Sequence, residues 1–140
     1  MSERIIRPMY VADYECARKL WEKTEGIGLR EADSRAKIAD LLSRNAGLSY
    51  VCEQRERIIG TILCGYDGRR GYIYHLAVDE ENRLKGIGKN LVEVCLKELK
   101  KKGGDKCHLF VFNDNETGKK FWSKLGWTNR EDIMVYSRSI

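Results

Sequence analysis

The sequence holds one proline, three phenylalanines and two histidines. A single proline leaves no proline-rich linker and no collagen-like repeat. No stretch approaches the roughly 18 uninterrupted apolar residues that a membrane-spanning helix needs, so no membrane association is expected. Met1-Ser2-Glu3-Arg4 leads into only two apolar residues, Ile5 and Ile6, so no secretory leader is expected. Cysteine pairs of the C-x-x-C kind are missing. The five cysteines stand at 16, 52, 64, 95 and 107, an odd and widely spaced set beside only two histidines. That excludes an ordinary zinc site and argues for reduced, mostly buried thiols in a cytoplasmic protein. No metal is expected. Internal repeats and low-complexity segments are lacking as well.

What is present is a globular balance, with 42% hydrophobic and 34% charged residues. At 140 residues the chain is expected to form one domain over residues 1–140. Lys plus Arg is 26 and Asp plus Glu is 21, a net charge of 26 − 21 = +5. Such an excess suits nucleic acid, an acidic partner or an anionic small molecule. The run Lys100-Lys101-Lys102 looks like a nucleic-acid patch, but it sits where a helix ends and cations are favoured there. No specific nucleic-acid partner is expected.

Hydrophobic periodicity and turn residues give the elements. Strands are expected at Arg4–Arg7, Ser49–Glu53, Ile58–Tyr66, Gly71–Val78, Lys106–Phe112 and Met134–Ser137. Helices are expected from Asp13 to Thr24, from a cap at Ser34 or Asp33 to Asn45, from Gly86 to Lys102 and from Asn115 to Leu125, with Gly103-Gly104 and Gly126 as stops. The three central strands read as an antiparallel meander. Strand, long helix, strand over 71–112 reads as a parallel crossover.

The informative stretch runs from Leu76-Ala77-Val78 through Arg83-Leu84-Lys85-Gly86-Ile87-Gly88-Lys89-Asn90. A strand enters a loop with two cations, and two glycines open a long helix. Glycine lets backbone approach a ligand, and a helix start offers unpaired N–H groups and partial positive charge. Such a turn suits phosphate or pyrophosphate. It is neither a Walker loop nor a dinucleotide fingerprint, because Leu91 stands where the third glycine would be.

Here the sequence resembles the GNAT superfamily of acetyl-coenzyme A-dependent N-acetyltransferases. Arg83-Leu84-Lys85-Gly86-Ile87-Gly88 is similar to its Q/R-x-x-G-x-G/A motif. Asn115-Glu116-Thr117-Gly118-Lys119-Lys120-Phe121-Trp122-Ser123-Lys124-Leu125-Gly126-Trp127 is similar to its second signature. The resemblance implies an α/β (α+β) fold. A mixed, mostly antiparallel central sheet of six to seven strands would carry a splayed parallel pair, 71–78 and 106–112, and four helices. It implies acetyl-coenzyme A as co-substrate and an amine acceptor, either a small molecule or a protein or peptide. The backbone from Lys85 to Lys89, with Arg83 and Asn90, would hold the pyrophosphate. Leu76, Ala77 and Val78 would lend backbone to the pantetheine arm, Asn115 would contact it from the other side, and Trp122 and Lys124 would flank the coenzyme.

Trp122 stands where the family often has a tyrosine acid, and an indole N–H is a donor that keeps its proton. The family's strand carboxylate is also missing from 71–78. Tyr74 corresponds to a position where some members of the family carry that base, and the resemblance makes it the candidate catalytic or substrate-ordering residue. Strict alternation would put Tyr72, Tyr74 and Leu76 on one face and turn His75 to the other, where it reads as a core histidine, as does His108. The loop 24–33 is expected to wall the acceptor side. The sequence leaves open a coenzyme-A-binding sensor or interaction domain, the acyl chain length, and a monomer or a homodimer.

Overall fold

The structure is a computed structural model and describes residues 3–140. These fall into two compact units, residues 3–110 and 111–140. The first contains β1 (Ile5–Pro8), α1 (Tyr14–Glu22), α2 (Arg35–Arg44), β2 (Tyr50–Gln54), β3 (Arg57–Tyr66), β4 (Gly71–Val78), α3 (Ile87–Lys101) and β5 (Cys107–His108). The second contains α4 (Glu116–Lys124).

The sheet runs β1-β2-β3-β4-β5, antiparallel except for the parallel pair β4 and β5. This is the mixed α/β architecture expected, with four helices but, among the described residues, five strands rather than six to seven. One expected strand is missing, and another is shortened. The strand expected over 106–112 forms a ladder only at Cys107–His108. The strand expected at Met134–Ser137 does not form, and Met134, Val135 and Tyr136 are exposed. A short apolar run becomes a strand only when a neighbouring backbone supplies a ladder and a core buries one face.

The helices end where turn chemistry dictates. Ser34 caps α2 by accepting from the Lys37 N–H at 3.3 Å. Beyond α3, Gly103 takes φ +98°, its N–H donates to the Lys100 carbonyl, and the Gly104 N–H reaches back to Leu99. Gly126 and Trp127 repeat this paired closure beyond α4.

Two cores flank the sheet. Under α1 and α2, Ala17, Leu20, Trp21 and Ile38 pack with Val51, Leu63 and Ala77, and Trp21 is fully buried. On the other side α3 buries Ile87, Leu91, Val92, Cys95 and Leu99. Here the side-chain-free Gly60 matters. A Cβ at that position would lie 3.1 Å from Ile87, 3.2 Å from Leu91 and 3.3 Å from Cys52. The first turns of α3 therefore rest directly on the β3 backbone. Gly60→Val should overpack this contact and lower stability by about 1–3 kcal/mol. Chemical unfolding measures it, and an unchanged midpoint would show that α3 does not dock there.

Candidate functional site

The site begins with an irregularity in β4. Thr61 pairs with Ala77 and Leu63 pairs with Tyr74, so Ile62 faces two residues, His75 and Leu76. This is a β-bulge. His75 takes φ +47°, a left-handed conformation that histidine adopts more readily than most residues. The bulge is pinned from below. The Trp21 indole N–H donates to the Thr61 hydroxyl at 2.9 Å, and that hydroxyl donates to the His75 carbonyl at 2.9 Å.

The extra residue resets the alternation along the strand. Directly paired residues share a face, so Tyr74 lies on the side of Leu63, under α1 and α2. Ala77 joins that same core. His75 does too: its ring stands edge-on to Trp21 at 4.8 Å, and Nε2 lies 2.6 Å from Asp33 Oδ1. The expectation that Leu76 shares a face with Tyr74 while His75 turns away is thus overturned by the bulge. Asp33 is itself tied down. Its Oδ2 accepts from the Arg30 N–H at 2.9 Å, and its carbonyl accepts from Tyr14 at 2.5 Å and Arg18 at 3.3 Å.

The parallel ladder between β4 and β5 covers only Gly71 with Cys107 and Tyr72 with His108. From Ile73 to Val78 the backbone of β4 has no partner in β5. Tyr74 stands along this stretch, 40% exposed. Partial burial, helped by Tyr72, Cys64 and Cys107, pushes its phenol pKa above the ordinary value, so it is a proton donor at neutral pH. His108 stacks near Tyr72, with centroids 5.7 Å apart.

Beyond β4 the chain turns sharply. Arg83 Nε donates back to the Val78 carbonyl at 3.1 Å, locking the loop onto the strand end. Leu84 at φ +64° and Gly86 at φ +81° both take left-handed backbone. A Cβ built on Gly86 would meet nothing within 4 Å, so the space over this turn is open. The first intrahelical bond into α3 runs from the Asn90 N–H to the Gly86 carbonyl at 3.0 Å. The N–H groups of Ile87, Gly88 and Lys89 therefore precede the helical ladder. The α3 start has no side-chain cap, as at α1, whereas α2 and α4 have one. Lys85 is exposed beside it, and Lys89 makes only a long, exposed contact with Glu93 at 4.0 Å. An uncapped helix start with cations on either side fits a phosphorylated coenzyme.

Leu76, Ala77, Val78, Arg83, Lys85, Gly86, Ile87, Gly88, Lys89 and Asn90 thus lie on one continuous strand–turn–helix of the first unit. Asn115, Trp122 and Lys124 belong to the second unit. There Asn115 caps α4, its Oδ1 accepting from the Gly118 N–H at 2.9 Å. Trp122 lies edge-on to both Phe121, at 5.0 Å, and Trp127, at 5.1 Å. Lys124 is exposed in the last turn.

Sequence reasoning missed the roles of Trp21, Asp33, Thr61 and Asp79. Asp79 follows β4 and is buried, 3.2 Å from Lys23 and 3.0 Å from Asn82. A cavity of about 220 Å³ opens beside it, lined also by Arg57, Glu81 and Arg83. The five cysteines are free, and three are buried. Burial and the nearby Cys64 push the Cys107 thiol up to about 12, so it is no thiolate. Among the described residues no group of three or more His, Cys, Asp or Glu could hold a metal ion, and no helix is long and apolar enough to cross a membrane.

Comparison with known proteins agrees with this geometry. The model of the acetyltransferase (GNAT) family matches residues 11–127. An acetyltransferase of Pectobacterium atrosepticum is 31% identical, over 91% of this chain and 90% of its own. The crystal structure of the PaiA N-acetyltransferase from Thermoplasma acidophilum, in complex with coenzyme A, superposes with a TM-score of 0.76 at 27% identity, covering 90% of each chain. An aminoglycoside N-acetyltransferase in complex with coenzyme A shares the fold, with a TM-score of 0.79 at 18% identity, covering 100% of this chain and 97% of that one.

The Asp79 carboxyl carries a measurable signature. Burial raises its pKa, but hydrogen bonds from Lys23 and Asn82 and the charges of Lys23 and Arg57 outweigh burial and hold it below the ordinary value. A folded pKa below the unfolded one gives stability that is present above about pH 4 and lost as pH falls through the lower folded value. Lys23→Met should therefore destabilise the chain at pH 7, and its thermal midpoint should converge on the parent's as pH falls to about 2–3. A pH-independent gap would refute the pair.

Proposed function

The chain belongs to the acetyltransferase (GNAT) family, and on that premise we propose that it moves the acetyl group of acetyl-coenzyme A onto a primary amine by direct attack on the thioester. The acceptor class is the amine of a small molecule, a peptide N-terminus or a lysine side chain. The observation that carries this reading is the uncapped start of α3 lying directly after a strand whose edge β5 leaves unpaired. We take residues 1–140 as one acetyltransferase domain, since the family match runs across both units. Five free thiols suit the reducing cytoplasm.

The coenzyme supplies an activated acetyl thioester. Backbone N–H groups from Lys85 to Lys89 hold its pyrophosphate, with Lys85 and Lys89 adding charge and Arg83 bracing the turn. The main chain of Leu76, Ala77 and Val78 binds the pantetheine arm as an added strand would. Backbone donors that the bulge and the splay release from the ladder face the carbonyl oxygen as charge builds on it. Asn115, Trp122 and Lys124 complete the coenzyme contacts. Tyr74 donates a proton to the leaving sulfur, a task its protonated phenol can perform and the Trp122 indole cannot.

Two measurements test this. Gly86→Glu puts a carboxylate at the anion site and a side chain on left-handed backbone. Calorimetric titration with acetyl-coenzyme A should show affinity reduced at least about tenfold. Undiminished affinity would move the coenzyme elsewhere. Separately, thiol release across a panel of polyamines, lysine peptides and free peptide N-termini should find a turned-over acceptor. With that acceptor, Tyr74→Phe should lower kcat by at least about tenfold, whereas Trp122→Phe should act on the KM for the coenzyme rather than on kcat. The opposite pattern exchanges their roles.

A further inference from the structure

We propose that His75 is the proton acceptor for the attacking amine and that Asp33 is its positioning residue, an assignment that rests on the acetyl-transfer reading above. The bulge carries His75 to the side of the sheet where Tyr74 stands, immediately next to it in the chain and along the edge that β5 leaves open. Its imidazole is not closed off in the core, since 14% of the side chain is accessible, and Asp33 is 11% accessible.

The Asp33 contact decides the chemistry of the ring. An ionised carboxylate only accepts hydrogen bonds, so Nε2 carries the proton in the neutral ring and Nδ1 keeps its lone pair. A carboxylate that orients a histidine in this way favours one tautomer and stabilises the imidazolium that forms. The groups packed around the pair are accounted for. Tyr14 and Arg18 bond the Asp33 carbonyl rather than its carboxylate. Trp21 and Thr61 do not titrate, and Tyr74 is a proton donor. Of the carboxylates that follow β4, buried Asp79 is engaged by Lys23 and Asn82, and Glu80 and Glu81 are exposed. Asp33 ends a short 3-10 turn, Glu31–Asp33, where its other oxygen holds the Arg30 N–H and so fixes the carboxylate against the ring.

The step balances. The amine nitrogen uses its lone pair to bond the thioester carbon, and its proton passes to His75 Nδ1, directly or through one water. The C–S bond breaks with its electron pair going to sulfur, which takes the proton of Tyr74. His75 then releases its proton to solvent, from which Tyr74 is reprotonated, leaving an amide and a free thiol.

The test uses the full chain with acetyl-coenzyme A and the alkylamine that releases thiol fastest in the panel. His75→Asn tolerates the positive φ and cannot accept the proton. Asp33→Asn keeps the shape and disturbs the tautomer. Each removes a buried hydrogen bond, so each should melt below the parent while staying folded and keeping coenzyme affinity at the assay temperature. Each should lose about 100-fold or more in kcat/KM, and His75→Asn should keep only the part of the acid limb that the alkylamine's own deprotonation sets. Hydroxylamine, which is neutral at pH 7, should lose much less. Without any substrate, nitrogen NMR of the imidazole should show Nε2 protonated in the parent and a shifted tautomer in Asp33→Asn. An active His75→Asn with an unchanged acid limb overturns the proposal, as does an Nδ1-protonated ring. If the parent releases no thiol with any amine yet binds the coenzyme, acetyl transfer itself fails, and this proposal fails with it.

Discussion

The hydrogen bond from the Thr61 hydroxyl to the His75 carbonyl, backed by the Trp21 indole, fixes where β4 takes up its extra residue. Much else follows from that one point. Below it β4 keeps its antiparallel phase with β3, and Gly71 and Tyr72 meet β5. Above it the phase is shifted, so Ala77 rather than Leu76 enters the core under α1 and α2. A buried indole N–H needs an acceptor, and a backbone carbonyl displaced from the ladder needs a donor. Thr61, fully buried between them, meets both needs with one hydroxyl.

On the opposite side the constraint is closeness. Gly60 lets Ile87 and Leu91 sit directly on β3, and Gly71 gives the same access to Leu99, whose Cδ1 would lie 2.7 Å from a Cβ there. Held at both ends, α3 presents a rigid N-terminus. That terminus gives up the capping hydrogen bond that Ser34 and Asn115 provide elsewhere, a stabilisation of about 1 kcal/mol. It also accepts a left-handed, fully exposed Leu84. The open cap is shared with α1, so what sets the α3 start apart is the left-handed backbone at Leu84 and Gly86 beside it. The net charge of +5 is clarified in the same way. Arg83 and Lys23 brace the loop after β4, Lys85 and Lys89 flank the open helix start, and Lys100 and Lys101 close the same helix.

Most element boundaries were legible because they rest on local chemistry: Ser34, Gly86, Gly103 and Gly126 each announce a helix end by side chain or backbone freedom. The turn before α3 was legible for the same reason. What could not be read was non-local. Alternation along 71–78 is blind to a bulge, because the extra residue is defined only against Thr61 and Leu63 on the facing strand. Asp33 read as a cap or a loop charge, because its partner lies 42 residues away. Ile133, Met134, Val135 and Tyr136 have strand composition but form no ladder, which no composition can foretell.

The reaction's proton demand gives the geometry around the bulge its meaning. A lysine-like amine, with a pKa near 10.4, costs about 4.6 kcal/mol to deprotonate at pH 7, whereas an α-amino group near 8 costs about 1.4 kcal/mol. An acceptor drawn from the first class therefore depends more heavily on a nearby base than one from the second. The reaction also needs a donor for sulfur, and donor and acceptor must not neutralise each other. A phenol whose pKa is raised by burial keeps its proton, and an imidazole turned by a carboxylate keeps a lone pair. One extra residue in a strand brings both to the same side of the sheet, which regular pleating of neighbouring positions forbids.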